Sequence, residues 1–335
     1  MNYPPSRFRI LVLDDGTSEA LREAVHELHT AKTTAPTAYP EIQYHRRGTK
    51  SDHHVFAKAG NLNHAIFDIQ EAQEFSAPEF IVVFDADSIP SPHFLRATLP
   101  HLLRHPDLGM VGTLQRFYNL PPGDPLSQAL DGYSEIFIPR MNQLGAGFTS
   151  GSGILIRRGL LIEVGGFPTI SFSEDFTLCF ILHGLGRQFI VLAESLQWGL
   201  VPTSLEGHVA QRQRWFIGLS QLVGSLKRSP DNTIPPHMRW SAVIQGVICI
   251  CEVLGPALAF VVMPLALSSG QQLVPGMSSI HLKVQVVLAI SHVSCTWLHE
   301  WLQSLQTGFR VSPFTALFDF WLAPGKRAGP LSILC

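Results

Sequence analysis

The stretch Phe80 to Pro90, reading Phe-Ile-Val-Val-Phe-Asp-Ala-Asp-Ser-Ile-Pro, decides the fold of this chain. Ile81 to Phe84 are four consecutive apolar residues, mostly β-branched or aromatic, which predicts a buried parallel strand covered on both faces. The strand then ends in two carboxylates, Asp85 and Asp87, at the carboxyl end where open α/β sheets bind their ligands. Two acids that close repel unless something positive lies between them. A divalent cation carrying a diphosphate meets that need, because Mg²⁺ or Mn²⁺ takes one or two carboxylates together with phosphate oxygens and water. The same residues could equally form a strand and an Asx-type turn into Ser88-Ile89-Pro90, so the flanking segments decide.

Upstream, Arg9 to Leu13 reads as a strand that ends at Asp14-Asp15-Gly16, and Glu19 to His29 has helical apolar spacing at Leu21, Val25 and Leu28. One carboxylate there could accept from a nucleotide base N–H; a tight turn with a helix cap would use the same residues. Ile42 to Tyr44 is a candidate second strand, followed by the polar, basic Arg46 to His54. Lys58-Ala59-Gly60-Asn61-Leu62-Asn63 opens a helix towards Ile69. Glycine beside a helix start lets backbone amides approach a ligand and Lys58 adds a charge for phosphate, without the spacing of a P-loop.

Downstream, the expected elements are a helix over His93 to Leu103, a strand over Gly109 to Leu114 and a helix over Leu126 to Ile138. A glycine-rich turn from Phe148 to Gly153 then leads into a strand over Ile154 to Arg158. Leu160 to Val164 is a short helix with a glycine stop. Glu174 and Asp175 stand where a helix over Phe176 to Leu182 begins, a position that acidic capping alone would explain. Ile190 to Leu192 reads as a strand. Val209 to Leu222 reads as a helix containing Gln211-Arg212-Gln213-Arg214-Trp215, which suits interfacial anchoring or an anion ligand beside a stacking platform.

The composition divides the chain. Formal net charge is −2, so no broad field points to nucleic acid as a partner. Apolar residues make up 46% and charged ones only 15%, and Ser241 to Ser268 holds one charge, Glu252. Residues 241–268 and, more weakly, 284–302 are expected to be transmembrane helices, and 314–322 is too short to span. Cations flank both candidates, Lys227, Arg228 and Arg239 before and Arg310, Lys326 and Arg327 after, which predicts a hairpin with both ends in the cytosol. Cys179, Cys249, Cys251, Cys295 and Cys335 form no paired Cys-x2-Cys spacing, so neither zinc nor a disulfide framework is expected. Met1 to Arg9 is polar and has no signal-peptide character.

Taken singly these motifs are ambiguous, but their joint order is not. Asp-Asp-Gly, Lys-Ala-Gly-x-Leu-Asn, Asp-x-Asp, Glu-Asp and Gln-x-x-Arg-Trp, followed by apolar helices, resembles the inverting family 2 glycosyltransferases, in particular the cellulose synthase and hyaluronan synthase branch, over roughly Arg7 to Leu222. The resemblance implies an α/β, GT-A-type nucleotide-sugar-binding Rossmann-like sheet followed by C-terminal transmembrane helices. Residues 1–222 would be a cytosol-facing catalytic domain, 223–240 an interfacial linker and 241–335 the membrane region. Family members carry a further strand and helix before the Asp-Asp-Gly strand, so a shortened catalytic domain is expected.

The roles it implies are specific. Asp14 and Asp15 would touch the uracil and ribose of a UDP-sugar, and Lys58 would lie near the diphosphate or base. Asp85 and Asp87 would hold the donor, with Asp87 the more direct ligand of Mg²⁺ or Mn²⁺. Asp175 would be the general base and Glu174 its acidic companion, while Gln211, Arg214 and Trp215 would close over the diphosphate and stack on the acceptor. The expected reaction moves a sugar from a UDP-sugar to a growing β-linked polysaccharide. The alternatives are transfer of one sugar to a lipid or small hydrophobic acceptor, and a non-catalytic relative.

Overall fold

The computed structural model describes residues 1–16, 18–34, 39–47, 57–69, 77–124, 126, 128–145, 147–228, 236–270 and 278–307. Strand β1 (Arg9–Leu13), helix α1 (Glu19–Thr34) and strand β2 (Glu41–His45) form a βαβ unit in which β1 and β2 are parallel, with Arg9 opposite Glu41 and Leu13 opposite His45. Helix α2 (Ala57–His64) follows and widens into a π-helical turn over Ala65–Ile69. Most of the basic segment between β2 and α2 lies outside the described residues.

The second sheet is mixed. Its strands are β3 (Phe80–Val83), β4 (Ile89–Pro90), β5 (Leu108–Phe117), β6 (Ile154–Arg157) and β7 (Gln188–Gly199), in the order β3-β6-β5-β7-β4. Only β5 and β7 run parallel; β6 is antiparallel to both β3 and β5. The acidic-motif strand is therefore not the parallel strand its apolar run suggests. It lies at one end of the described sheet, and only Val83 of the four is fully buried. An apolar run encodes burial, but strand direction is decided by the long-range partner.

Alternation along β5 and β6 divides the core in two, as a two-residue period requires. Met110, Ile154 and Ile156 point to one face, where Val83, Ile66, Leu161, Leu178, Leu182 and Phe189 bury with them. That face is covered by α2, by α5 (Arg158–Glu163) and by α6 (Glu174–Gly184). Val111 and Leu155 point to the other face, against Leu102 of α3 (Phe94–Arg104). The helix expected over Leu126 to Ile138 begins later, as a π-helical turn over Tyr133–Phe137 that continues into α4 (Ile138–Gln143). Asp124 displaces its start: its carboxylate accepts from the Gln128 and Ala129 N–H groups, and Asp124 and Leu130 both have positive φ.

Helix α7 (Leu205–Arg228) carries Gln211, Arg214 and Trp215, and two longer helices follow, α8 (Pro236–Ser269) and α9 (Ser279–Thr307). The stretch read as a linker is thus helical on both flanks. The two expected spans fall inside α8 and α9, but among the described residues no helix is long and apolar enough to cross a membrane. The segment 314–322 and the cations beyond α9 lie outside the described residues.

Candidate active site

Three separated stretches of chain meet at Lys58. Its Nζ lies 2.7 Å from Asp85 Oδ1 and 3.2 Å from Glu174 Oε1, and it donates to the Gly151 carbonyl at 3.1 Å. Burial works against the ammonium, but Asp85, Glu174 and Asp175 outweigh it and raise its pKa. The lysine is thus held charged as the counter-ion of an acidic cluster. Its helix is anchored by Asn63, whose amide donates to the Phe167 carbonyl at 2.9 Å and accepts from the Phe167 N–H at 2.6 Å.

Glu174 and Asp175 open α6. Glu174 is buried, and Asp175 Oδ1 accepts from the Phe176 N–H at 2.8 Å. Burial, then repulsion from Glu174, push the Asp175 carboxyl up to about 7, with Lys58 and the Phe176 N–H pulling against that rise. A carboxylate with a pKa near neutrality is matched to proton abstraction. Gly151 explains the closeness of these groups. A Cβ there would stand 2.9 Å from Asp175 Oδ2 and 3.1 Å from Lys58 Nζ, and its φ of +76° also favours glycine.

The acidic turn itself is braced from within. The Ser88 N–H bonds the Asp85 carbonyl at 3.0 Å, and the Asp85 N–H donates to Ser152 Oγ at 3.1 Å. Asp87 is exposed; desolvation and then Asp85 raise its carboxyl pKa, while Lys58 and Arg214 oppose the shift. A divalent ion fits this donor set. Among the described residues no group of three or more His, Cys, Asp or Glu could form a cage. Two carboxylates with surplus negative charge suit an ion that completes its shell with phosphate oxygens and water.

Helix α7 closes over the same side. Gly218 packs directly on Ser173 and its carbonyl accepts from Ser171 Oγ at 2.9 Å, fixing α7 against the start of α6. Arg214 is exposed and close enough to act on Asp87. Trp215 is 40% exposed, with the Arg212 guanidinium 4.8 Å from its ring centre. Gln211 lies on the same helix, partly buried.

The Asp-Asp-Gly turn is more structural than its motif suggests. Asp14 Oδ1 accepts from the Gly16 N–H, and Oδ2 accepts from the Ser18 N–H and the Tyr44 hydroxyl, at 2.7, 2.7 and 2.8 Å. Asp15 pairs with Arg47 through both carboxylate oxygens. The turn-and-cap alternative accounts for the Gly16 and Ser18 partners; sequence reading missed Tyr44 and Arg47, and it missed Tyr133, whose hydroxyl pKa is raised by burial and then by nearby Asp175. Tyr133 belongs to an aromatic group with Phe137, Phe148 and Phe176, the last two rings 4.5 Å apart. Their sequence signal is only four scattered aromatics.

An acidic strand end facing an acidic helix start across one lysine, on a mixed curled α/β sheet, defines a GT-A-like glycosyltransferase fold. The fold is shared with the solved mannosyltransferase PcManGT from Pyrobaculum calidifontis in complex with GDP-Man and Mn²⁺, at a TM-score of 0.60 and 19% identity, over 98% of this chain and 79% of that one. The chain belongs to the glycosyltransferase-like family 2, whose sequence profile matches residues 13–218. It is 29% identical to the UDP-forming cellulose synthase catalytic subunit of Pseudomonas fluorescens (strain SBW25), over 96% of this chain and 41% of that protein. Against the corresponding subunit of Xanthomonas axonopodis pv. citri (strain 306) it is 30% identical over 66% of this chain and 28% of that protein. The chain thus spans about two fifths or less of the length of these relatives.

Proposed function

We propose that this chain transfers a sugar, with inversion, from a UDP-sugar to a growing β-linked polysaccharide at a membrane. The observation that carries the reading is the convergence of Lys58, Asp85, Glu174 and Asp175 around Gly151, beneath the helix of Gln211, Arg214 and Trp215. The UDP-forming cellulose synthase relatives support the donor and the product.

In this reading Asp85 and Asp87 would hold Mg²⁺ or Mn²⁺, which when bound would supply positive charge to offset that of the departing diphosphate. Asp175 removes the acceptor hydroxyl proton as that oxygen attacks the anomeric carbon from the side opposite UDP, a single displacement that inverts the centre. Glu174 keeps the base from ionising too readily, and Lys58 holds both acids in place. Arg214 offsets charge on the leaving diphosphate. Trp215 offers a flat apolar face to the acceptor, and Gln211 lies one turn before it. Asp14 and Asp15 shape the nucleotide pocket through their turn.

Exposed apolar side chains on α8 and α9, among them Val261, Leu265, Leu267, Leu282, Val287 and Leu288, support membrane attachment, with the catalytic sheet on the cytosolic side. The test is calorimetric binding of UDP to the full chain with Mn²⁺ and then with EDTA, followed by a screen of UDP-sugars for polymer. Metal-dependent binding and alkali-insoluble product are expected. Absence of UDP binding by folded protein overturns the reading, and transfer of a single sugar to a hydrophobic acceptor overturns its polysaccharide part.

A further inference from the structure

Behind the acidic turn lies a buried polar relay that no catalytic motif contains. Gln197 of β7 is fully buried, 0% exposed, as is Ser152. The Ser152 hydroxyl donates to Gln197 Oε1 at 2.8 Å and accepts the Asp85 N–H at 3.1 Å, with Ser88 Oγ also 3.1 Å away. Gln197 Nε2 donates to the Ser152 carbonyl at 2.9 Å and lies 3.3 Å from the Thr113 carbonyl. Thr113 Oγ1 in turn donates to the Gly153 carbonyl at 3.0 Å, and the Gly153 N–H bonds the Val83 carbonyl at 2.9 Å. Every polar atom of the amide is used, and each partner lies in the glycine turn or in β5.

The backbone is arranged to deliver this side chain. Leu196 and Gln197 are consecutive and both buried, as in a strand covered on both faces. The β5–β7 register shifts between Thr113 and Leu114 and again between Leu114 and Gln115, which sets Gln197 opposite Gln115. Irregularities of this kind re-aim side chains near functional sites. The next contact closes the frame: β4, immediately after Ser88, pairs with β7 through Pro90 opposite Gln197 and Ile89 opposite Trp198. Strand β7 thus grips the acidic turn at both ends, through Ser152 at Asp85 and through β4 beyond Ser88. Space is tight enough that a Cβ on Gly153 would collide with the Gln197 amide.

We propose that Gln197 and Ser152 are positioning residues that hold the Asp85–Ser88 turn in the shape that binds the metal-diphosphate group of the donor. The inference rests on the donor reading given above. Burying an amide costs more than burying a methionine unless all its bonds are made, so the relay's return is orientation of the turn. Gln197→Met keeps the volume and removes the relay; Ser152→Ala removes one hydroxyl and leaves packing intact.

The test measures two quantities on the full chain and on both variants. These are deuterium exchange over residues 84–88, and the Mn²⁺ concentration that half-saturates UDP binding. The expected result is at least tenfold faster exchange in that turn and about a tenfold higher Mn²⁺ requirement, with UDP affinity in EDTA changed less than twofold. Leu102→Ala, which opens the core packed against α3, is the control for general destabilisation and is expected to move neither. Unchanged exchange and metal requirement in folded Ser152→Ala and Gln197→Met refute the inference, as does an equal shift in Leu102→Ala. If wild-type protein binds no UDP while the variants still loosen the turn, the donor reading fails and the positioning of the turn stands.

Discussion

Replacing Lys58 by methionine tests the electrostatics of the site. Asp175 Oδ2 and Lys58 Nζ lie 2.9 and 3.1 Å from one point beside Gly151, and so at most about 6 Å apart. At an effective dielectric of about 20 such a pair is worth ~3 kcal/mol, or ~2 pKa units. The lysine side chain is 38% exposed, and solvent screening reduces this to ~1 unit. Removing the positive charge favours the protonated acid, so the Asp175 pKa must rise from about 7 to ~8. A base works only when ionised. At pH 7 its active fraction falls from about one half to about one tenth, a ~5-fold loss recoverable at high pH. The assay is UDP release from a UDP-sugar between pH 5 and 10, because kcat/KM reports the free enzyme. Any loss of donor affinity lowers the whole curve without moving its inflection. An inflection that stays in place or moves down refutes the arrangement of Lys58 against Asp175.

Glu174→Gln should move the same inflection below its wild-type position, because it removes the repulsion that helps hold Asp175 protonated; the same pH series checks it. Asp175→Asn should abolish transfer while calorimetric UDP affinity stays within about threefold, since a base contributes to attack and not to donor contacts. Asp87→Ala should remove the Mn²⁺-dependent part of UDP binding and leave the part measured in EDTA. Asp14→Ala should cost ~2 kcal/mol in urea denaturation, from two lost backbone N–H bonds and the Tyr44 hydroxyl. Unchanged stability would show that the turn does not depend on this carboxylate.

Motif order was sufficient for the family, because Asp-x-Asp, Glu-Asp and Gln-x-x-Arg-Trp are local signals whose spacing survives in sequence. The strand over Arg9–Leu13 and the helix opened by Glu174 and Asp175 were legible for the same reason: apolar periodicity and acidic first turns are short-range features. The expected spans rest on apolar composition, which places 241–268 inside α8 and 284–302 inside α9, while among the described residues no helix is long and apolar enough to cross a membrane.

By itself, the sequence determined which residue types are available for chemistry and the order in which strands and helices present them. Tertiary structure alone decided that β3 runs antiparallel to β6, that Asp14 also accepts from Tyr44, and that Lys58 joins Asp85 to the distant Glu174. It also decided that Gln197, unremarkable in an apolar strand, sits fully buried behind the acidic turn. Local propensity acts over a few residues, whereas pairing direction, counter-ions and buried amide partners depend on side chains brought together only when distant segments pack.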